Sequence, residues 1–153
     1  CQAALQFATV LAGKITIVTT LERSVPALEQ VVMRHGFDLR SIRIRASEVP
    51  VLDLEDPDSP ASARIRAEIG RAVEEDRAEA IVLGCAGMSD LAAELGREFE
   101  RPVVEGVSAA VKIIEGLNAL GLETSGAGGY APPRPKRYSG VFATFAPSKE
   151  DGP

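Results

Sequence analysis

Residues 80–85, Ala-Ile-Val-Leu-Gly-Cys, decide the fold because they form a short and uninterrupted apolar run. Such runs are typical of strands that a parallel sheet buries on both faces. Residues 15–21, Ile-Thr-Ile-Val-Thr-Thr-Leu, have the same character and are rich in β-branched side chains, which strands favour. The two runs therefore predict the central strands of one parallel sheet.

Segments with helical patterns lie between and around these strands. Five helices are predicted, over residues 2–12, 25–35, 61–77, 89–99 and 108–121. The third repeats Ile65, Ile69 and Val73 at helical spacing with charged residues between them, which indicates an amphipathic surface helix. Ser24 and Ser108 are expected to cap the second and the fifth helix, since serine is a favoured N-cap residue.

Three shorter segments complete the pattern. Residues 41–45 alternate Ile with Arg, which predicts a strand near a sheet edge. Residues 51–54 are expected either to extend that strand or to form a separate short one, and residues 102–104 predict a last strand. The alternation of strands and helices predicts an α/β fold, a parallel sheet flanked by helices in a Rossmann-like or flavodoxin-like three-layer domain.

Length, charge and cysteine content limit the classes of function. A chain of 153 residues and 16.2 kDa has room for one hydrophobic core. Its net charge of −5 and pI near 5.0 disfavour nucleic acid, whose binding needs basic surface. No apolar run approaches the roughly 18 residues of a membrane span. Cys1 and Cys85 form neither a close pair nor a metal-binding pattern, so we expect a reducing, cytoplasmic location and small-molecule or protein partners.

Two of the predicted helices begin with similar residues. Gln2-Ala3-Ala4-Leu5 resembles Ser108-Ala109-Ala110-Val111, but only the second copy follows a strand, and the chain begins without Met. We therefore expect the carboxyl portion of a longer, internally duplicated protein. In that interpretation residues 1–13 are the trailing helix of a preceding first domain, residues 14–122 are the α/β domain, and residues 123–153 are an irregular tail. The apolar end of that tail, VFATFA, is expected to dock on another surface.

Cys85 is the first candidate for chemistry, because it ends a buried strand just before a predicted helix. The carboxyl ends of parallel strands line the ligand crevice of open α/β sheets, and the positive end of a helix favours a thiolate. By position alone, a free cysteine is more often a small buried hydrophobe. Thr19 and Thr20 end the other central strand, where hydroxyls could bind a substrate, although threonine is common in strands for its shape alone.

Other polar residues receive simpler interpretations. His35 precedes Gly36 at a helix end, where it suits the last carbonyl groups. The acidic run at residues 74–76 is a solvated helix end. The glycines of residues 126–129 have neither a strand before them nor a helix after them, so they do not form a phosphate-binding loop.

Three segments together resemble a known family: ITIVTTLERSV, AIVLGCAGM and RPVVEGVSAAVKIIEGL. They are similar to the carboxyl half of hydantoin and allantoin racemases, in the aspartate/glutamate racemase superfamily. The most specific stretch is Leu-Gly-Cys-Ala-Gly-Met at residues 83–88. The resemblance implies one half of a two-domain fold in which two similar α/β domains face each other.

The resemblance also implies a mechanism without cofactor or metal. One thiolate removes the α-proton of the substrate, and a second thiol delivers a proton to the opposite face. Cys85 matches the second catalytic cysteine, while the first belongs to the domain that this chain lacks, and Cys1 is not its replacement. The substrate would be a hydantoin or allantoin, held by residues around Cys85 and at two other strand ends. These substrate-binding candidates are Thr19, Thr20, Gly84, Ala86, Gly87 and Ser108.

The glutamate-specific relatives carry Cys-Thr-His where this chain has Cys85-Ala86-Gly87, which favours a cyclic ureide over a free amino acid. Two alternatives stay open from the sequence. One is another enzyme of the superfamily, such as an amino-acid racemase, a maleate isomerase or an arylmalonate decarboxylase. The other is a binding or assembly domain without catalysis. With half of the cleft missing, the chain is expected to self-associate as a homo-oligomer and to be inactive in isolation.

Overall fold

Four parallel strands form one sheet in the computed structural model, which describes residues 1–54, 59–131 and 136–146. The strands are β1 (Ile15–Thr19), β2 (Ile42–Ala46), β3 (Ala80–Leu83) and β4 (Val103–Glu105), and their order in the sheet is β2-β1-β3-β4. Ile17 lies opposite Ile44 on one side and Val82 on the other. The two apolar runs are therefore the central strands, and the strand that alternates Ile with Arg is at an edge, as predicted.

Five α-helices cover the two faces of this sheet. They are α1 (Gln2–Leu11), α2 (Val25–Arg34), α3 (Ala61–Glu75), α4 (Ala92–Phe99) and α5 (Gly106–Ala119). Buried residues of α1, α2 and α5 pack on one face, and those of α3 and α4 pack on the other. This arrangement confirms the predicted three-layer parallel α/β fold. None of the helices in the described part of the chain is long and apolar enough to cross a membrane.

The core follows from the alternation of side chains along the central strands. Ile15 and Ile17 point toward the layer of α1 and α2, whereas Val18 points toward α3, because successive residues of a strand face opposite sides. Leu5 of α1 is fully buried in the first layer. The helix over residues 2–11 thus contributes to the core of this domain, and its expected link to a preceding domain stays a prediction.

Two sequence predictions about short segments are wrong. Residues 51–54 form a 3-10 helix, Val51–Leu54, rather than a strand. Glu48 has a positive φ of 53°, Pro50 cannot donate to a strand ladder, and the Asp53 N–H donates to the Pro50 carbonyl at 3.1 Å. The helix expected from residue 89 begins instead with a 3-10 helix, Ala86–Leu91, directly after Cys85.

One of the two predicted serine caps is confirmed and the other is wrong. Ser24 is the N-cap residue of α2, although its side chain makes no capping hydrogen bond. The fifth helix begins at Gly106, and Glu105 is its N-cap residue. Ser108 lies inside the first turn, where its N–H donates to Glu105 Oε1 at 2.7 Å. A carboxylate caps this helix because it satisfies the N–H groups and suits the positive helix end.

A cluster of ionic groups joins the edge strand β2 to α3. Arg45 donates from Nε and Nη2 to the two oxygens of Asp76, at 2.6 and 2.7 Å, and it also pairs with Glu68 and Glu75. The Thr16 hydroxyl donates to Asp76 Oδ2 at 3.1 Å. The Arg45 hydrogen bonds hold the pKa of Asp76 below its usual range, although partial burial acts in the opposite direction. This ion cluster therefore anchors α3 to β1 and β2.

We expect Asp76→Asn to lower the free energy of unfolding at neutral pH by about 1–3 kcal/mol, since one partner of a part-buried pair is removed. The folded-state pKa of Asp76 lies below its ordinary value near 3.8. Its contribution is therefore full above that value and is lost as pH falls through the folded pKa. Denaturant unfolding at several pH values should show a difference between the two proteins that shrinks in acid.

The exposed pair Asp38–Arg40 supplies the control, because solvent screens such pairs. Asp38→Asn should change stability much less than Asp76→Asn at every pH. Equal losses in the two variants would contradict the anchoring role of the ion cluster.

Candidate functional site

Cys85 lies immediately beyond β3, at the carboxyl edge of the sheet. Its backbone is extended, with φ −132° and ψ 135°, and it is the N-cap residue of the 3-10 helix Ala86–Leu91. The Met88 N–H closes this turn by donating to the Cys85 carbonyl at 3.1 Å. The Cys85 side chain is half-buried and contacts the core layer formed with α3 and α4. The thiol is thus at the rim of the core and not enclosed within it.

Thr19 and Thr20 end the neighbouring strand at the same edge. The Gly84 N–H donates to the Val18 carbonyl at 2.8 Å, so the pairing of β1 with β3 continues beyond Leu83. A Cβ at Gly84, the residue before Cys85, would lie 3.2 Å from Thr19 Cβ. Both threonines are buried. Their carbonyl groups accept the N–H groups of the loop after β2, from residues 47 and 49 respectively. The candidate residues of both strands therefore meet at one edge, as the sequence predicts.

Two glycines lie in close contact with their neighbours near the thiol. A Cβ at Gly84 would lie 3.1 Å from Ile17 Cγ2 and 3.3 Å from the Val18 carbonyl oxygen, so a side chain there would be tightly packed against β1. A Cβ at Gly87 would lie 3.1 Å from Val51 Cγ1 and 3.8 Å from Cys85 Sγ. Ala86 and Gly87 are exposed, which leaves the backbone after Cys85 accessible from solvent.

Glu105 is a functional candidate that the sequence analysis missed. It is buried, with 6% of its surface exposed, and it lies opposite Leu83 in the pairing of β3 with β4. Its Oε1 accepts the Ser108 N–H at 2.7 Å, and its Oε2 accepts the Val107 N–H at 2.6 Å. The Ser89 hydroxyl lies 3.0 Å from the same Oε2. The sequence does contain a signal that could have identified it, which is an acidic residue placed between a predicted strand and Gly106.

The charge of Glu105 is stabilised by these donors. Desolvation by burial raises the pKa of the carboxyl, but the hydrogen bonds from Ser108, Val107 and Ser89 outweigh that effect and hold the pKa below its usual range. A buried carboxylate is thus ionised at neutral pH close to the turn that carries Cys85.

The remaining candidates occupy less central positions. Ser108 is exposed in the first turn of α5, and its backbone N–H is used by Glu105. Cys1 lies near the start of the same helix, since a Cβ at Gly106 would be 3.2 Å from the Cys1 nitrogen. Both cysteines are free. Within the described residues, no three His, Cys, Asp or Glu side chains come together as a potential metal site.

Two of the cavities in the described part of the chain border the sheet and its helices, away from Cys85. One, of about 520 Å³, is lined by the Arg45 ion cluster and the edge strand. The other, of about 340 Å³, lies between α1 and α5 and is lined by Gln6, Phe7, Val10, Leu11 and Ile113. Cys85 lines neither of these cavities, and the turn that follows it, at Ala86 and Gly87, is exposed.

Comparison with known proteins identifies relatives of this chain. The chain is 44% identical over 140 residues to a hydantoin racemase of Rhizobium meliloti, covering 92% of this chain and 58% of that protein. It is 40% identical over 144 residues to a hydantoin racemase of Pseudomonas sp. strain NS671, covering 94% of this chain and 58% of that protein. The chain thus spans less than two thirds of the length of these relatives.

A solved structure of a similar protein has the same fold. The allantoin racemase from Klebsiella pneumoniae superimposes with a TM-score of 0.87 at 44% identity, over 95% of this chain and 60% of that one. A family model described as Asp/Glu/Hydantoin racemase matches residues 1–114 of this chain. With sequence and fold in agreement over most of its length, this chain belongs to the Asp/Glu/Hydantoin racemase family.

Proposed function

We propose that this chain is the carboxyl-terminal portion of a cofactor-independent racemase of hydantoins or allantoin, in which Cys85 is one of two thiols that transfer the proton. The observation that carries the proposal is the position of Cys85. It is half-buried at the carboxyl end of a central strand and directly before an exposed turn. A location in the cytoplasm is part of the proposal, because a reducing compartment keeps thiols free.

The chemistry begins with the α-proton of the substrate. The Cys85 thiolate would take this proton and leave a carbanion that the adjacent ring carbonyl delocalises as an enolate. The first N–H groups of a helix have no partner within it, so those of Ala86 and Gly87 would be available to the enolate oxygen. Preorganised backbone donors of this kind stabilise developing charge effectively.

Inversion requires a second group on the opposite face of the substrate, because one thiol returns the proton to the face from which it came. The preceding portion of the longer protein would supply that group as a second cysteine. The proposal is supported by coverage, since this chain spans 58% of the Rhizobium meliloti hydantoin racemase and 60% of the Klebsiella pneumoniae allantoin racemase. The edge of the sheet at Cys85 would then be half of a closed cleft.

The substrate class follows from the residues after the thiol and from the relatives. Ala86 and Gly87 carry no side-chain group that could bind a free carboxylate or amine, which favours an uncharged ring. The similar proteins are described as hydantoin and allantoin racemases, and both substrates are cyclic ureides. We therefore assign a cyclic ureide rather than a free amino acid.

The same proposal explains an apolar surface made by α1 and α5. Val10, Leu11, Ile114 and Leu117 are large apolar residues with 44–85% of their surface exposed. Exposed apolar patches of this kind mark interfaces. The preceding portion of the protein would cover this surface, and residues 141–146, whose Phe142 and Phe145 are also exposed, would add to it.

For the isolated chain we expect no racemisation of a 5-substituted hydantoin. At most, Cys85 should catalyse slow deuterium uptake at the α-carbon of one enantiomer without inversion, because half a cleft positions the substrate poorly. The measurement is NMR of the α-proton in D₂O together with polarimetry. Cys85→Ser should abolish the exchange and Cys1→Ser should not. Efficient loss of optical rotation by this chain alone would overturn the two-thiol account.

Fusing the segment that precedes the matched region in the Rhizobium meliloti hydantoin racemase to Cys1 should restore racemisation, since it completes the cleft. Cys85→Ser in this chimera should reduce kcat by at least about 10³-fold, because the group that removes or delivers the proton is lost. Cys1→Ser is the matched control and should leave the rate unchanged. A chimera that folds and racemises equally well with Ser at position 85 would refute the proposed role of Cys85.

We also expect the isolated chain to self-associate through the α1–α5 surface. Val10→Glu and Ile114→Glu place charges on that surface and should shift the species seen by analytical ultracentrifugation toward the monomer. Met33 is also exposed, at 57%, but lies on α2, so Met33→Glu is the control. A wild-type chain that remains monomeric at high concentration would count against this interface.

A further inference from the structure

We propose that Ser89 and Glu105 are positioning residues that fix the turn after Cys85 to the start of α5. The inference rests on the proposed role of Cys85 and deepens it, since it names the groups that hold the thiol in place. Neither side chain needs to touch the substrate, because Ser89 acts on the backbone next to Cys85 and Glu105 acts through Ser89.

The link consists of two short contacts made by one hydroxyl. Ser89 Oγ donates to the carbonyl of Ala86, the residue after Cys85, at 2.8 Å. The same oxygen lies 3.0 Å from Glu105 Oε2. The hydroxyl has a single proton to share between these two acceptors, so it connects the turn at Cys85 with the carboxylate at the end of β4.

Glu105 fixes the other end of the link. Both of its oxygens accept backbone N–H groups of the first turn of α5, so the carboxylate cannot swing away without exposing those donors. It is buried and is adjacent to Leu83 across the β3–β4 pairing. The rigid strand pair and the helix start therefore define the position of the carboxylate, and the carboxylate defines that of Ser89.

The chemistry of these side chains sets what each contact requires. A carboxylate offers two acceptor oxygens, whereas an amide offers one acceptor and one donor. With Gln at position 105, the amide would turn its own N–H toward one of the two α5 N–H groups in either orientation, so the helix cap requires a carboxylate. The Ser89 hydroxyl can pair with either an oxygen or an N–H, so the link is removed only when the polar group at position 105 is lost.

The first test measures how accessible the Cys85 thiol is in the chain itself. In a Cys1→Ser background, the limiting rate constant for alkylation by iodoacetamide at high pH is measured for each variant. Ser89→Ala should raise it about fivefold, because the turn opens more often once it loses a hydrogen bond. The melting temperature should stay close to that of the parent, since the cap at Glu105 remains. Ser89→Thr keeps the hydroxyl and should restore the parent rate.

Thr9→Ala is the matched control. The Thr9 hydroxyl also donates to a carbonyl three residues earlier, that of Gln6, at 3.1 Å, but it lies in α1. Its loss should leave the alkylation of Cys85 unchanged. Glu105→Ala should both raise the alkylation rate and lower the melting temperature, because it removes the link and the cap together. An unchanged rate in Ser89→Ala, or an equal rise in Thr9→Ala, would overturn the inference.

The chimera described above separates this inference from the proposed function. Ser89→Ala should lower kcat there with little change in KM, since substrate binding does not require the link. If Cys85→Ser leaves racemisation intact, the proposed function fails, while the alkylation experiment still decides whether Ser89 positions the turn. If Cys85→Ser abolishes racemisation and Ser89→Ala alters neither kcat nor alkylation, the function stands and the positioning role is wrong.

Discussion

The rest of the structure depends on the burial of β1 and β3 from both faces. Ile17, Val18 and Val82 have none of their surface exposed, and each apolar face needs a layer of helices to cover it. Because backbone groups inside such a sheet have no access to water, the strands must pair along their full length. Parallel pairing then requires a helical crossover between strands, and all carboxyl ends meet at one edge.

That edge concentrates groups with unusual surroundings. Three features lie at this edge. An exposed turn follows Cys85, two buried threonines lie at the end of β1, and the buried Glu105 carboxylate lies at the end of β4. Burying the Glu105 carboxylate without partners would destabilise the fold, since an isolated buried charge is strongly unfavourable. Three donors from two different elements compensate for its burial. The same contacts tie the strand ends together, so stability and the geometry around the thiol have one origin.

Helices α1 and α5 differ from this edge because they expose apolar side chains to solvent. Each helix buries one stripe on the sheet and leaves further large apolar residues exposed, among them Val10 and Ile114. A helix that needs only one apolar stripe for its own domain does not require these residues. In the proposed function, another portion of the longer protein covers this apolar surface.

The sequence by itself determined the parallel α/β class, the two central strands and the location of Cys85 and Thr19 at their carboxyl ends. These features depend on local apolar runs and on periodicity, which are visible in consecutive residues. The resemblance in residues 83–88 added the family, which the comparisons confirm, and the roles of the site residues stay predictions.

Only the tertiary structure decided the contacts between distant segments. Arg45 and Asp76 are 31 residues apart, and Ser89 and Glu105 are 16 residues apart, so no local pattern predicts that they meet. Ser108 was a reasonable cap by residue type, but the packing of β4 brought the Glu105 carboxylate to that helix start. Residues 51–54 have the composition of a strand, and the backbone at Glu48 and Pro50 turns them away from the sheet. Such outcomes follow from how elements pack on one another, which residue order alone does not specify.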